Sequence, residues 1–266
     1  VPGSKGSLEE ARAKGKDIRV VYSPDDALKI AEENKDKDVV FIAIGFETTA
    51  PSVASAILEA EEKNIKNFYI FPLHKLTPPI MKTILDLGEV DLKGIICPGH
   101  VSTVIGSLPW EFIPRDYKIG AVVAGFEPVD ILMAIDMLLA QLEENKPRVE
   151  IAYRRSVKPE GNKKAQEIMY KVFEVDKARW RGIGETPASG LKLKKEFEKR
   201  NALLRFEIDP GEPYKPKGCI CGEILRGIKK PPDCPLFSKI CTPEKPVGPC
   251  MVSSEGTCSA YYIYGG

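Results

Sequence analysis

The sequence lacks the features of several broad classes of protein. Its 39 Lys and Arg residues nearly balance 38 Asp and Glu, and a net charge of +1 gives no electrostatic basis for binding nucleic acid or an anionic membrane. The longest apolar runs, at 39–44 and 121–124, have the length of strands and are too short to span a bilayer. The first residues contain no apolar stretch typical of a secretion signal. We therefore expect no nucleic-acid or membrane partner.

Several well-known catalytic motifs are also missing. No G-x-G-x-x-G, Walker A or G-x-S-x-G pattern occurs, so the sequence shows neither a phosphate-binding loop nor a nucleophile elbow. Disorder is excluded by composition, because 43% of the 266 residues are hydrophobic and the net charge is small. What is present is an ordinary globular chain with one unusual feature, the placement of its cysteines.

The first part of the chain alternates between strand and helix patterns. The predicted strands are 17–22, 38–45, 67–72, 94–97 and 119–124, and the predicted helices are 24–34, 51–63, 77–87, 101–106 and 129–145. Strands separated by helices at this spacing predict βαβ units. The fold class is therefore α/β, with a doubly wound parallel sheet.

The composition changes near residues 145–150. Residues 149–154 are consistent with one more strand, whereas 162–175 and 188–201 have the pattern of amphipathic helices. From Asp209 onward Pro, Gly and Cys dominate, and such a stretch buries too little apolar surface to fold unaided. We predict an α/β domain at 1–147, followed by a helical and Cys-rich domain at 148–266.

Chemically useful side chains follow several predicted strands. Gly-Phe-Glu occurs after two of them, and both histidines of the chain, His74 and His100, also lie at strand ends. Ligands of open parallel sheets bind beyond the carboxyl ends of the strands. We predict a functional cleft at this edge of the sheet, and we expect neither Glu47 nor His100 to be a core residue. The proposed cleft residues are Glu47, Thr48, Thr49, His100 and Glu127.

Each of these strand-end residues also has a purely structural interpretation. The acids could cap helix N-termini, since carboxylates are favoured there. Cys97 could pair with His100 as nucleophile and base, but a cysteine at a strand end is more often a small buried hydrophobe.

Six of the seven cysteines fall within the last 48 residues. They are Cys219, Cys221, Cys234, Cys241, Cys250 and Cys258. A local cluster in a chain without a secretion signal indicates a metal or redox module rather than a disulfide framework. The paired C-x₂-C knuckles of zinc ribbons and the ferredoxin run are both absent. Four metal ligands plus one thiol pair would account for all six.

Motifs along nearly the whole chain resemble one known family. They are GFETTAPS at 45–52, HKLTPP at 74–79, PGHVSTVIG at 98–106, AGFEPVDILMAI at 124–135, GNKKAQE at 161–167, PASGLKLKKE at 187–196, CICGEILRG at 219–227 and PVGPCMVSSEGTCSAYY at 246–262. In this content and order they resemble the HypD family of hydrogenase maturation proteins.

The resemblance implies an α/β scaffold with a C-terminal [4Fe–4S] cluster. Members of the family build the Fe(CN)₂CO unit of [NiFe] hydrogenases together with the small chaperone HypC, using cyanide supplied by HypE, which HypF carbamoylates. The resemblance implies a cytoplasmic maturation scaffold with a redox role rather than a conventional enzyme. The family's N-terminal C-G-x-H-x-H and G-P-G-C-P-V-C motifs do not occur in this sequence. We therefore expect a chain that lacks about a hundred N-terminal residues of the family and does not assemble the iron centre alone.

The spacing of the six clustered cysteines guides a ligand assignment. Two cysteines one residue apart reach the same cluster only with tight backbone geometry, so we expect Cys219 and Cys221 to have different roles. The predicted cluster ligands are Cys219, Cys234, Cys241 and Cys258, and the predicted redox pair is Cys221 and Cys250. This layout resembles that of ferredoxin–thioredoxin reductase. The alternative in which Cys221 is the cluster ligand and Cys219 belongs to the redox pair stays open.

Two other functions remain open at this point. One is a stand-alone thiol–disulfide oxidoreductase in which a cluster and a thiol pair reduce a partner. The other is a structural zinc module attached to an α/β binding domain.

Overall fold

The structure, a computed structural model, describes residues 2–3, 6–209, 211 and 216–265. Contacts between residues divide the chain into two compact units. The α/β unit consists of Tyr22–Ala178 and Thr186–Ile208. The cysteine unit consists of Val1–Val21, Arg179–Glu185 and Asp209–Gly266.

The strands are short, as is usual in globular domains. In chain order they are β1 Pro2–Gly3, β2 Gly6–Ser7, β3 Val39–Gly45, β4 Phe68–His74, β5 Gly94–Pro98, β6 Gly120–Ala124, β7 Val149–Ile151, β8 Phe173–Trp180 and β9 Gly184–Leu193. β1 pairs with β2 in an antiparallel manner, and β8 and β9 form another two-stranded sheet.

The α-helices vary from one turn to more than four turns. In chain order they are α1 Leu8–Ala13, α2 Pro24–Glu33, α3 Ala50–Glu62, α4 Thr77–Asp86, α5 Gly99–Ile105, α6 Pro128–Glu143, α7 Lys163–Val172, α8 Ala202–Arg205, α9 Cys221–Leu225 and α10 Thr257–Tyr264. Short 3₁₀ segments occur at Leu108–Trp110, Lys195–Arg200, Pro231–Asp233 and Pro249–Met251, and a π-helical turn at Ile113–Tyr117. In the described parts of the chain, no helix has the length and apolar character needed to cross a membrane.

Parallel strand pairs organise the α/β unit. β3 pairs with β4 from Val39 opposite Phe68 to Gly45 opposite His74. β6 lies between β5 and β7 and is parallel to both. The α/β class and the parallel pairing are confirmed. The single doubly wound sheet was wrong, because the described strands form separate sheets of two and three strands.

Local sequence explains where the helices begin. Ser23 caps α2 by accepting a hydrogen bond from the Asp26 amide at 3.1 Å, and the Asp26 carboxylate accepts from the Ser23 amide at 3.1 Å. Pro24 occupies the first helical position, where its missing N–H costs nothing. α3 turns a row of alanines and aliphatic residues inward, and every residue of β6 is buried. Trp110 is fully buried beside Cys97 in the core under β5 and β6.

Two predicted elements were wrong. Residues 17–22 form no strand, and Val20 and Tyr22 are largely exposed at the point where the chain passes from one unit to the other. Residues 188–201 are not one helix: β9 covers 184–193 and a 3₁₀ segment follows. There the hydrogen bonding of β9 to β8 overrides the helix propensity of the lysines and glutamates.

The contacts divide the chain at positions other than the predicted boundary near 145–150. β7 continues the β5–β6 sheet, with Ala121 opposite Val149. α7 packs on α3 within the same unit, so the α/β unit extends well beyond residue 147. The cysteine unit, in turn, includes residues from the start of the chain.

Arg200 is a buried cation that joins the 3₁₀ segment to α3 and β4. Its guanidinium bonds the Glu61 carboxylate at 2.7 Å and donates to the carbonyl oxygens of Ile65, Phe68 and Ala60. The neighbouring Lys199 also reaches Glu61, at 2.6 Å, but its side chain is 62% exposed against 5% for Arg200.

We expect Arg200→Ala to lower the free energy of unfolding by about 3 kcal/mol, because it leaves a carboxylate and several buried carbonyl groups without their donor. Lys199→Ala is the matched control and should cost less than about 1 kcal/mol, since it removes a solvated ion pair from the same carboxylate. Urea denaturation of both variants measures the difference, and equal losses would contradict the assignment.

Candidate functional site

Glu47 is buried at the end of β3, although we expected it outside the core; that expectation was wrong. Its carboxylate accepts hydrogen bonds from the Thr77 amide at 2.7 Å and from the Thr77 hydroxyl at 2.8 Å. Thr77 is the first residue of α4, so Glu47 caps a helix that begins thirty residues later in the chain. Burial raises the pKa of Glu47, and the bonds from Thr77 lower it in part.

His74 ends β4 and is also buried. Among the described residues neither ring nitrogen has a hydrogen-bond partner, and the ring packs edge-on against Phe173 at 5.6 Å between centroids. Burial lowers the pKa of His74 to about 4, so the imidazole is neutral near pH 7. A buried neutral imidazole whose nitrogens make no hydrogen bond is energetically unfavourable.

A second set of polar side chains lies near the ends of β5 and β6. His100 is exposed and its ring lies 4.2 Å from that of Phe126. Arg155 bonds both carboxylate oxygens of Asp130, at 2.6 and 2.7 Å, and lies 3.3 Å from the exposed Glu127 carboxylate. The ion pair with Asp130 raises the pKa of Arg155 and lowers that of Asp130. Glu127 is the N-cap residue of α6, as the structural interpretation of this acid proposed.

The described contacts thus place the predicted cleft residues in two groups. Glu47 belongs with Thr77 and His74 at the β3–β4 end, and His100 belongs with Phe126 at the β5–β6 end. Thr48 and Thr49 are exposed, and Thr49 is the N-cap residue of α3. A shared cleft that joins the two groups stays a prediction.

Cys97 lies in the hydrophobic core rather than in a site. It is fully buried, and burial raises the pKa of its thiol to about 12. A nucleophilic cysteine needs a lowered pKa and access to solvent. The interpretation of Cys97 as a buried hydrophobe is confirmed.

The six clustered cysteines form the centre of the cysteine unit. Five of them are buried together with Ile224 and Met251, and Cys219 packs against this cluster. The Sγ atoms of Cys250 and Cys258 are 3.1 Å apart, and the Cys219 and Cys221 side chains are hydrogen-bonded to each other. All seven cysteines of the chain lie in the described residues, and all are free thiols.

Backbone groups approach the sulfur atoms closely. The Val247 amide donates to Cys241 Sγ at 3.3 Å. A Cβ added at Gly248 would lie 2.7 Å from Cys219 Sγ, which is too close unless that thiol moves. Gly182 at the β8–β9 turn and Gly222 in α9 meet backbone to backbone beside Cys221, since a Cβ at Gly222 would lie 2.2 Å from the Gly182 carbonyl oxygen.

Burial is the main influence on the pKa of three of these thiols. Together with the neighbouring Cys219, it raises the pKa of Cys221 to about 12. It also raises the pKa of Cys250 and of Cys258. The charges of three other cysteines also raise the pKa of Cys258. They are Cys234, Cys241 and Cys219, the other three predicted cluster ligands.

The donor set has the chemistry that iron–sulfur clusters require. Thiolates hold such clusters, and amide N–H groups directed at sulfur tune their potentials. In the described residues, no group of three or more His, Cys, Asp or Glu side chains has the arrangement of a metal site. The 3.1 Å contact joins Cys250 with Cys258, whereas the predicted redox pair was Cys221 with Cys250. The assignment of ligands and redox pair stays a prediction.

Comparison with known proteins identifies the family. The sequence model of HypD, described as the hydrogenase formation hypA family, matches residues 1–265. The chain belongs to the HypD family. It is 48% identical to the hydrogenase maturation factor HypD2 of Bradyrhizobium diazoefficiens over 273 residues, which cover the whole chain and 72% of that relative. It is 47% identical to HypD of Cupriavidus necator over 277 residues, with the same coverage.

An archaeal relative gives the same result. A putative hydrogenase expression/formation protein of Methanocaldococcus jannaschii is 47% identical over 264 residues, which cover 99% of the chain and 74% of the relative. The family resemblance drawn from the motifs is confirmed.

Sequence reasoning missed several residues that surround these HypD-family motifs. Tyr170 on α7 lies near Glu47, whose charge adds to the effect of burial in raising the pKa of the tyrosine. The spacing of Glu127 and Asp130 is that of a capping box and could have revealed Asp130. No local pattern marks Arg155, because its contact with Asp130 joins positions far apart in the sequence.

We expect Glu47→Gln to remove a pH-dependent loss of stability. The pKa of Glu47 is raised above its ordinary value of 4.5, so the folded state binds the proton more tightly than the unfolded state. Wild-type stability should therefore fall, relative to the variant, as pH rises from 4.5 through the raised pKa. Urea unfolding across this range measures the difference, with Glu127→Gln at an exposed carboxylate as the control. A constant difference between wild type and Glu47→Gln would rule out a perturbed, buried carboxyl.

We expect the opposite sign for His74. Its pKa falls from 6.5 to about 4 on folding, so protonation favours the unfolded state. Stability that is present above pH 6.5 should be lost as pH falls towards 4, by about 3 kcal/mol in total. His74→Phe should lack this loss when unfolding is followed over the same range. His100→Phe changes the other, exposed histidine and should behave like wild type; a flat wild-type profile would refute the prediction.

Proposed function

We propose that this chain is the cluster-bearing part of a scaffold that assembles the Fe(CN)₂CO centre of [NiFe] hydrogenases. Membership of a family of hydrogenase maturation factors supports the general role. The observation that carries the specific role is the gathering of six thiols in one packed unit. Packing of an apolar core does not require six clustered thiols, whereas a cofactor ligated by thiolates requires several close together.

In this proposal Cys219, Cys234, Cys241 and Cys258 hold a [4Fe–4S] cluster. The influence of the first three on the acidity of Cys258 supports their proximity. The Val247 amide would stabilise the thiolate of Cys241, and Gly248 would keep space free beside Cys219. When bound, the cluster would supply one-electron transfer.

Cys221 and Cys250 are proposed as the thiol pair next to this cluster. Both are buried, and the charge on Cys219 raises the pKa of each. This supports a position of both thiols beside Cys219 and hence beside the proposed cluster. The 3.1 Å contact of Cys250 with Cys258 favours a second possibility, in which Cys250 exchanges with a cluster ligand. The serine substitutions below distinguish the two, because Cys250→Ser loses iron only in the second.

The strand-end residues are proposed to serve the assembly of the iron unit in the longer protein. Glu47, Thr48, Thr49, His100 and Glu127 would line the cleft in which the Fe(CN)₂CO precursor is handled. Glu47 and Glu127 would then act from fixed positions, because Glu47 is bonded to Thr77 and Glu127 is the N-cap residue of α6. HypC, HypE and, upstream, HypF are the proposed partners, and the cytoplasm the proposed location, since clustered free thiols suit a reducing compartment.

A stand-alone thiol–disulfide oxidoreductase is less well supported. The matches to hydrogenase maturation factors favour the scaffold instead.

Serine substitution of each clustered cysteine tests the proposal. The protein, prepared anaerobically, should absorb near 400 nm and contain about four iron atoms per chain. Serine at Cys219, Cys234, Cys241 or Cys258 should abolish iron binding, whereas Cys221→Ser and Cys250→Ser should retain iron. Iron, sulfide and zinc per chain are the measurements, and Cys97→Ser, a buried cysteine of the other unit, is the control. Zinc without iron would refute the cluster, and iron loss in Cys221→Ser with retention in Cys219→Ser would reverse those two roles.

A chimera tests the role in maturation. This chain replaces the matching 72% of HypD in Cupriavidus necator, and hydrogenase activity is measured in cells that lack their own HypD. The chimera should restore activity and its Cys241→Ser variant should not. Restoration by both would show that the cysteine unit is dispensable for maturation.

A further inference from the structure

The solvent side of α6 carries an apolar stripe. Its four members are Leu132, Ile135, Leu139 and Leu142, with exposed fractions of 66, 42, 53 and 47%. Their alternating spacing of three and four residues is that of the a and d positions of a coiled coil. α6 is already anchored through another face, where Ile131, Ala134, Met137 and Leu138 pack on β6 and its neighbours. The stripe is therefore additional to the residues that hold the helix in the fold.

The stripe continues towards an uncovered part of the β5–β6–β7 sheet. At 100° per residue, Leu138 lies between the buried centre of α6 at Ala134 and the stripe. The Leu138 side chain covers Gly94 of β5, 3.0 Å from where a Cβ would lie. Ile96 is two residues further along β5, on the same face, and is 39% exposed. Parallel sheets are normally covered on both faces, so the exposed Ile96 marks a part of this sheet beside α6 that the described residues leave open.

The charges next to the stripe indicate what fills this space. Asp136 and Glu143 are exposed and border the stripe on the side away from Leu138. The sequence of α6 contains no Lys, Arg or His. A second copy of this chain would bring acidic borders together, which is unfavourable.

We propose that the stripe of α6 is the docking site for an amphipathic helix of a partner protein, with apolar residues at a and d positions and basic residues beside them. The apolar residues of the partner would pack between the stripe and Ile96, as in other helix-in-groove complexes. Its lysines or arginines would lie against Asp136 and Glu143. The acidic border sets the choice of partner, and the apolar stripe provides the buried surface.

Two synthetic helical peptides of about 21 residues test the proposal. Both carry leucine at every a and d position, and the flanking e and g positions are lysine in one peptide and glutamate in the other. In fluorescence anisotropy the lysine peptide should bind this chain at least about tenfold more tightly than the glutamate peptide. Equal binding of the two peptides, or no binding of either, would overturn the proposal.

Matched variants locate the site. Leu132→Ser and Leu139→Ser should each weaken binding of the lysine peptide at least about tenfold, because both remove apolar contact. Met133→Ser changes a residue of the same helix that is 48% exposed and lies beyond the acidic border, and it should leave binding unchanged. Asp136→Lys combined with Glu143→Lys should reverse the preference in favour of the glutamate peptide. Unchanged binding after Leu139→Ser, or loss after Met133→Ser, would show that the peptide binds elsewhere.

Two further outcomes would assign the stripe to another occupant and overturn the proposal. One is a concentration-dependent dimer in sedimentation velocity that Leu139→Ser abolishes, which would identify a second copy. The other is binding of the lysine peptide to this chain but not to the chimera with the Cupriavidus necator sequence, which would show that the longer protein covers the stripe itself.

Discussion

β3 and β4 are parallel, and Gly45, the last residue of β3, lies opposite His74, the last residue of β4. The two strands therefore end at the same level of the sheet. That register determines the rest of the β3–β4 end. Glu47, two residues past the end of β3, reaches the first residue of α4, three residues past the end of β4. The helix N-terminus stabilises the carboxylate, and the carboxylate in turn supplies the cap that Leu76, the N-cap residue, lacks. A slip of one residue would move Glu47 to the other face of the strand and leave the first turn of α4 without its acceptor.

The sequence predicted most of the α/β unit because local patterns determine its elements. Apolar runs mark β3 and β6, and Ser23 with Pro24 marks the start of α2 to the residue. The prediction failed for 188–201, where the pairing of β9 with β8 decides the structure and no local signal records it. It also failed to separate the two sheets, because strand order depends on contacts between distant segments. At the site, the motifs located Glu47 and His100, but the burial of Glu47 and its bond to Thr77 depend on the register of two strands.

The two units depend on different physical interactions. The α/β unit has a core of apolar side chains around Trp110 and Cys97 that would exclude water without any cofactor. The cysteine unit is built from short helices and turns, and its buried cluster consists largely of thiols. The spacing of the cysteines identified this unit, and the assignment of ligands and redox pair within it stays a prediction beside the contact of Cys250 with Cys258. Which sulfurs meet is decided by loop conformation, and glycines such as Gly248 mark where those loops have no space for a side chain.

The contact of Gly182 with Gly222 adds a constraint of a different kind. Here two segments distant in sequence touch through their backbones, with no side chain between them that could change its rotamer to absorb a movement. A methyl group at Gly222 would collide with the Gly182 carbonyl, so the two segments would have to separate before it fitted. Replacement of either glycine alone therefore requires the two backbones to move apart, even though neither residue is chemically reactive. The sequences open to the cysteine unit are limited by this inert contact as well as by the thiols it adjoins.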